Sequence, residues 1–534
     1  MTGANGARGL SWTLNRRQFL QGITAVGAAA GTGGLLTACT GSSPASTAGA
    51  KIAGKRGGDL TVGLSGSSGA DTLDPHNGTT YLDAARAQAL YQPLVQLDHQ
   101  AQLQLILAEE ITATTPTEWI IRLHPGITFH SGKPLTAQDV IYSFRRIKAG
   151  DHGTSFPGGD LLGPMDLGGL KAVDNRTVRV PFSSNYASFF DQLAIWYFLY
   201  IIPDGFNPVT EKPDGTGPFA YQSFVPEQRS VFTRNPDFWE PGLPYVDTLT
   251  VIDFPDTTSL QDALTTGVID AAGGFDGPEF AVLAATSGVT GLASRTGAIT
   301  PFTMRVDQPP FNDVRVRQAL RLLVNRPQLI ESALDGYGVV ASDVFSSYDP
   351  DFDHSLHREQ DIPRAKSLLK AAGYENLTVT LVTSPAATGM VSMATVLAEQ
   401  ATAAGVTIKL NNVPSSTFFG KNYLSWSFAQ DYYQYEPYLA QVAQSMLPSS
   451  PFNETHTSSP LLTRLYNQAN ATLSASVRKQ IEYEMQSFDF NEGGYIIPAF
   501  IDALDAYSDK ITGYSASAAG QPLSSMDFEK WSFV

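Results

Sequence analysis

The sequence predicts a multi-lobed α/β protein, and three observations carry that prediction. At 534 residues the chain is too long for one small domain and long enough for two or three packed units. Hydrophobic residues make up 43%, with 47 glycines and 33 prolines to supply turns, the balance of a folded α/β chain rather than a disordered one. Finally, Leu377 to Val382 reads as a strand, Met390 to Ala404 as a helix stopped by Gly405, and Val406 to Leu410 as a second strand. Two strands separated by one helix require parallel pairing through a right-handed crossover.

The N-terminus reads as an address. NRRQFLQ, Asn15 to Gln21, sets an arginine pair before the apolar run Phe19 to Ala38, and no acid interrupts it. That layout is an export signal of the twin-arginine kind. Five glycines within the run argue against a spanning helix, which needs about 20 strongly apolar residues. The run ends in LTAC, and Cys39 is the chain's one cysteine, so a lipobox with Cys39 as lipid anchor is expected. Residues 39–57, rich in Ser, Ala, Thr and Gly, read as a flexible tether. With no second thiol, the exported fold must rest on packing instead of disulfides.

Beyond the tether, DLTVGL at Asp59 to Leu64 alternates as a strand and a helix is expected from Tyr81 to Leu90. EWIIRLHPG begins as another strand; Thr136, with Asp139 three residues on, caps a helix whose apolar face is Val140, Ile141, Phe144 and Ile147. A further strand spans Thr177 to Pro181, and the aromatic run Phe189 to Ile202 reads as core or as the floor of a cleft. Asp313 and Asp361 cap two later helices, the second holding Pro363 in its first turn and stopping at Gly373. The last long helix runs from about Ser476 to Phe490. After it, YIIPAF carries a proline inside a strand, which suggests an edge or a crossing between lobes.

A net charge of −16 argues against nucleic acid as a partner. Enzyme signatures are missing: there is no G-x-S-x-G, no H-E-x-x-H, no phosphate-binding G-x-x-x-x-G-K-[ST] and no cysteine nucleophile, so binding without catalysis or cofactor is expected. The rival class, an exported hydrolase, has no motif in its favour. YDPDFDHSLHRE, Tyr348 to Glu359, lacks the glycine and the closing glutamate of a calcium loop and reads as a solvated acidic loop, so no metal is expected.

Six segments, IRLHPGITFHSGKPLTAQDVIYSFRR, GTGPFAYQSF, RNPDFWEPGLPYVDTLTV, TTGVIDAA, PPFNDVRVRQAL and PRAKSLLKAAGY, together resemble the family 5 extracellular solute-binding proteins of ABC importers. The resemblance implies a two-lobed, type II periplasmic-binding-protein-like fold with an extra subdomain in the first lobe, closing on ligand by hinge motion. It implies a first lobe of 58–297 plus 501–534, with the subdomain at about 85–208, and a second lobe of 298–500. The expected partners are a small ligand, an ABC permease and ATPase, and the membrane through the lipid anchor; the chain itself is expected to be a monomer on the outer face of the cytoplasmic membrane.

An oligopeptide is the first expectation for the ligand, an oligosaccharide or glycoside the second. In peptide-binding relatives a segment similar to SWSFAQDYYQYEPY, Ser425 to Tyr438, carries an acid that pairs with the peptide's ammonium, and Asp431 matches it best. Trp426, Phe428, Tyr432 and Tyr433 would wall that site, with Tyr81 and Trp196 from the first lobe; sugars would stack on Trp426 and Trp196 instead. Asp431 could equally cap a turn before Pro437, and Glu436 is a second acid within reach of the same assignment.

Overall fold

A computed structural model describes residues 54–66, 71–78, 80–151, 154–208 and 211–534. The export signal, Cys39 and most of the tether fall outside these residues. No helix among those described is long and apolar enough to cross a membrane. The tether's end is already ordered: Lys55 N–H donates to Phe533 O at 2.9 Å, and Gly57 N–H to Tyr245 O at 2.9 Å.

The largest sheet has seven strands, in the order Val289–Ser294, Ala503–Ser508, Ala271–Gly273, Asp59–Ser65, Thr248–Phe254, Arg229–Arg234 and Phe219–Val225. Asp59–Ser65 lies parallel to both neighbours, and antiparallel strands flank this trio. Its core gathers Leu60, Val62, Leu249, Val251 and Trp531, all below 1% exposed, so the C-terminal residues return to the first strand's half of the molecule. A four-stranded antiparallel sheet, from Ala108–Thr115 through Glu118–Leu123 and Thr177–Pro181 to Lys171–Ala172, forms a second layer with its own core. The helix Ala137–Ala149 packs on it, started by the capping box that Thr136 and Asp139 were expected to make. Gly215 lets the two layers meet, because a Cβ there would lie 2.0 Å from Leu90 O.

The other half is built on the three strands Phe428–Gln430, Phe302–Met304 and Tyr495–Ile496. Beside them Thr378–Thr383 and Thr407–Asn412 pair in parallel around the helix Met390–Ala401, as the sequence required. Asp313 and Asp361 occupy the expected N-caps, each accepting a backbone N–H, and Gly373 ends its helix at φ +81. The long helix runs Ala475–Glu492, two residues past its expected end.

The chain passes between the halves at 295–301 and again at 497–502. Pro498 explains the second passage: with no N–H to donate, it breaks YIIPAF into Tyr495–Ile496 and Ala499–Ile501, which pair with different strands. A third tie is the segment after Gln430. Tyr433 exchanges backbone hydrogen bonds with Ile299 at 2.8 and 2.9 Å, and Tyr435 N–H donates to Ala519 O at 3.3 Å.

Candidate functional site

The third tie positions the site. Phe428–Gln430 pairs antiparallel with Phe302–Met304, and Asp431 N–H continues that pairing by donating to Pro301 O at 3.2 Å. The chain is extended here, so side chains alternate: Asp431, Tyr433 and Tyr435 are buried, while Tyr432 and Gln434 are half-buried.

The half-buried set faces the large-sheet half. Gln434 hydrogen-bonds the Tyr81 hydroxyl, and Tyr432 lies close enough to Tyr81 and Tyr197 to disfavour their ionisation. Glu436, 2% exposed, completes this seam by accepting from the Tyr197 hydroxyl at 3.1 Å. In its hydrogen-bonding orientation the Gln444 amide nitrogen donates to the same carboxyl at 2.8 and 3.1 Å. Burial, against two neutral donors, pushes Glu436 up to about 8.

Of the buried set, Asp431 and Tyr433 face the small-sheet half, whereas Tyr435 packs with Leu97, Ala194 and Ala519 of the large-sheet half. Asp431 accepts from the Tyr423 hydroxyl at 2.7 Å and from Tyr432 N–H at 2.8 Å. Burial pushes Asp431 up to about 6, and its carboxyl is hydrogen-bonded to that of Glu454. Glu454 accepts from the hydroxyls of Tyr433 at 2.6 Å and Tyr495 at 2.7 Å; burial first and the Asp431 charge second push it well above the usual range. The loop bearing Glu454 is fixed by Asn453, whose side chain donates to Leu447 O and Thr457 O and accepts from Thr457 N–H. Glu454, Tyr423, Trp426 and Thr303 border a cavity of about 10 Å³, room for about one water molecule.

The sequence's candidates therefore divide. Tyr81 and Tyr432 meet across the seam, and Asp431 and Tyr433 meet around Glu454. Phe428 does not join the wall: its ring lies 5.2 Å from Phe311 and 6.4 Å from Phe302 in the hydrophobic core. Trp426 stacks on Phe418 at 6.4 Å and 29°, and its indole N–H donates to Phe418 O. Trp196 opens the short 3₁₀ turn Trp196–Phe198, and its side chain is outside what is described; the neighbouring Tyr197 carries the contact. Sequence reasoning missed Tyr197, Tyr423 and Glu454. Only the length of the aromatic run and the acid in PFNETH could have hinted at them.

Among the described residues one carboxylate trio, Asp349, Asp351 and Glu482, brings its oxygens within 4.8 Å of one another. Lys479 pairs with Asp351 at 2.9 Å and Arg478 lies 3.5 Å from Glu482, so cations of the chain already serve it. His354 instead sets its ring against Phe352.

Residues 102–460 match the family described as bacterial extracellular solute-binding proteins, family 5, middle. Glutathione-binding protein GsiB of Escherichia coli K12 is 27% identical over 317 residues, which is 57% of this chain and 60% of that protein's length. Among solved structures, the chain is similar to the periplasmic binding protein AgaA of Agrobacterium tumefaciens in complex with agropinic acid, with a TM-score of 0.77 at 19% identity, covering 89% of this chain and 99% of AgaA. It is equally similar to the periplasmic binding protein DppA of Helicobacter pylori in complex with the peptide STSA, with a TM-score of 0.77 at 20% identity, covering 90% and 98%. These likenesses give the fold as that of the type II periplasmic binding proteins.

Proposed function

The chain belongs to the family 5 bacterial extracellular solute-binding proteins, and from that membership we propose that it captures an oligopeptide between two lobes and delivers it to an ABC permease and its ATPase. The lobes follow the proposed bounds, 58–297 plus 501–534 and 298–500, with the subdomain at about 85–208. Closure is a hinge motion at the two crossings, 295–301 and 497–502.

The observation that carries the ligand class is a pair of buried acids, Glu436 in the seam and Asp431 behind it. Asp431 and Glu436 are buried among tyrosine hydroxyls and amides, with no ion-pair partner among the described residues. A ligand ammonium enclosed there receives the charge partner that water no longer supplies. Asp431 takes the peptide's N-terminus, and Tyr81, Tyr432 and Tyr433 surround it. Peptide ligands of relatives such as DppA support this choice. A neutral sugar is disfavoured because Trp426 already spends its face on Phe418. The lipoprotein assignment belongs to this reading too: Cys39 anchors the exported chain on the outer face of the membrane, it acts as a monomer, and it has no catalytic activity.

Calorimetric titration tests the ligand class. Free tripeptides bind, N-acetylated ones bind at least tenfold more weakly, and Asp431→Asn costs roughly 2 kcal/mol with the free peptides only. Equal affinity of the wild type and Asp431→Asn for both peptide forms overturns the anchor. A thermal shift with glycosides and none with peptides overturns the ligand class.

A further inference from the structure

Asp431 does not stand alone behind the seam. Its carboxyl is hydrogen-bonded to that of Glu454, and two carboxyls in such contact must hold a proton between them, since both cannot ionise away from water. Every group facing the pair is neutral or acidic. Tyr423 and Tyr432 approach Asp431; Tyr433 and Tyr495 approach Glu454. The nearest basic side chain along the loop, His456, turns away, with one ring nitrogen on Leu424 O at 2.7 Å and the other 3.8 Å from Asp307. The water-sized cavity of about 10 Å³ borders Glu454 and Tyr423.

We propose that Glu454 is a positioning residue for ammonium capture: it keeps the pair's single proton, donates it to Asp431, and leaves Asp431 as the one negative charge that the ligand meets. The inference rests on the peptide reading above. It adds that Glu454 works as a neutral acid, although it sits one hydrogen bond from a cation site. The hydrogen-bond arithmetic supports the assignment of the proton. Glu454 accepts a tyrosine hydroxyl on each oxygen and still has a proton to give; Asp431 accepts from Tyr423 and Tyr432 and has room for a third donor.

Two consequences separate this from a structural carboxylate. A protonated Glu454 is matched in shape and hydrogen bonding by glutamine, whose amide nitrogen donates to Asp431 while Tyr495 turns its hydroxyl to Ser445 O, 3.3 Å away. The charge on Asp431 is also lost in mildly acidic solution, because burial holds that group at about 6. The test measures the affinity of trialanine between pH 5 and 8 for the wild type, Glu454→Gln, Glu454→Met and Asp431→Asn. Wild-type affinity is level above pH 7 and falls toward tenfold per pH unit below about 6. Glu454→Gln stays within about twofold of the wild type at pH 7 with the same acid midpoint, whereas Glu454→Met, which gives no donor, loses at least tenfold at pH 7 and moves its midpoint upward.

A ligand-free measurement stands beside the titration. The infrared difference between the wild type and Glu454→Gln at pH 7 shows the carbonyl band of one protonated carboxyl. A tenfold loss in Glu454→Gln, the signature of a second needed charge, overturns the proposal, as does a difference spectrum with only carboxylate bands. If Asp431→Asn binds trialanine like the wild type, the anchor reading itself falls. Failure at Glu454 with Asp431 still required leaves the peptide reading in place.

Discussion

Arg321 spends its whole guanidinium on carbonyl oxygens. Fully buried, it donates to Tyr495 O at 2.8 Å, Phe490 O at 3.0 Å and Gly493 O at 2.7 Å, so it closes the C-terminal end of the helix Ala475–Glu492. The cation suits the negative end of that helix, and burial pulls it down to about 9. Arg321→Met takes a donor from Tyr495 O, while Gly493 O keeps Arg317 and Phe490 O keeps Arg358, and about 2 kcal/mol of stability is expected to go, read from chemical denaturation midpoints. Tyr495, one of the two hydroxyls on Glu454, follows directly from this capped end. How little of such a site is written in the sequence is plain at Ser425 to Tyr438. Asp431 could be singled out there by motif order. Strand parity does not sort the aromatics of this segment: Phe428 and Tyr432 share a parity, yet Phe428 packs into the core and Tyr432 lies half-buried at the seam. Glu454 was out of reach for another reason: it meets Asp431 only because a loop tied by Asn453 folds back.

The elements were more legible, since their signals are local. Caps, the parallel strand–helix–strand unit and the proline break in YIIPAF depend on residues a few positions apart. Long-range docking does not, as the turn Phe189–Gln192 shows. It meets the end of the helix Pro460–Asn470, where Asn470 Oδ1 accepts from Ser188 N–H at 3.1 Å and Ser188 Oγ at 2.7 Å, while Ala187 N–H donates to Asn470 O at 3.1 Å. These bonds exist only when the halves are together. Asn470→Ala removes two of them without touching the ligand seam. Peptide affinity is expected to fall on the order of tenfold, with a larger radius of gyration for the ligand-free variant in solution scattering. An unchanged radius together with unchanged affinity would show that this contact does not hold the halves.

For the whole molecule, the buried acids set how stability responds to pH. Burial raises Asp489 to about 7, Glu436 to about 8 and Glu482 to about 9. Unfolding returns each to the ordinary carboxylate range, so between that range and the raised value the folded chain holds the extra proton. Their contribution is full below the unfolded value and is lost as pH rises through about 7 to 9. Each contributes up to about 1.4 kcal/mol per pH unit. His76 works in the opposite sense. It sits against Arg146 and Tyr200 O, and burial lowers it to about 4, so its contribution is full above its unfolded value and is lost as pH falls toward 4. Scanning calorimetry should find the unfolding temperature falling from pH 6 to 9, with Glu436→Gln flattening the slope; a temperature that climbs over that range contradicts the assignment. The lone cysteine bears on the whole molecule as well. Once Cys39 is replaced, the protein has no thiol, and Val268, 62% exposed on the large-sheet half, and Val477, 49% exposed on the other, become free positions for a donor and an acceptor dye. With the backbone crossing between the halves at 295–301 and 497–502, relative motion is a hinge about those two segments, so a single energy-transfer reading would report occupancy, and the molecule becomes an optical gauge for its own ligand.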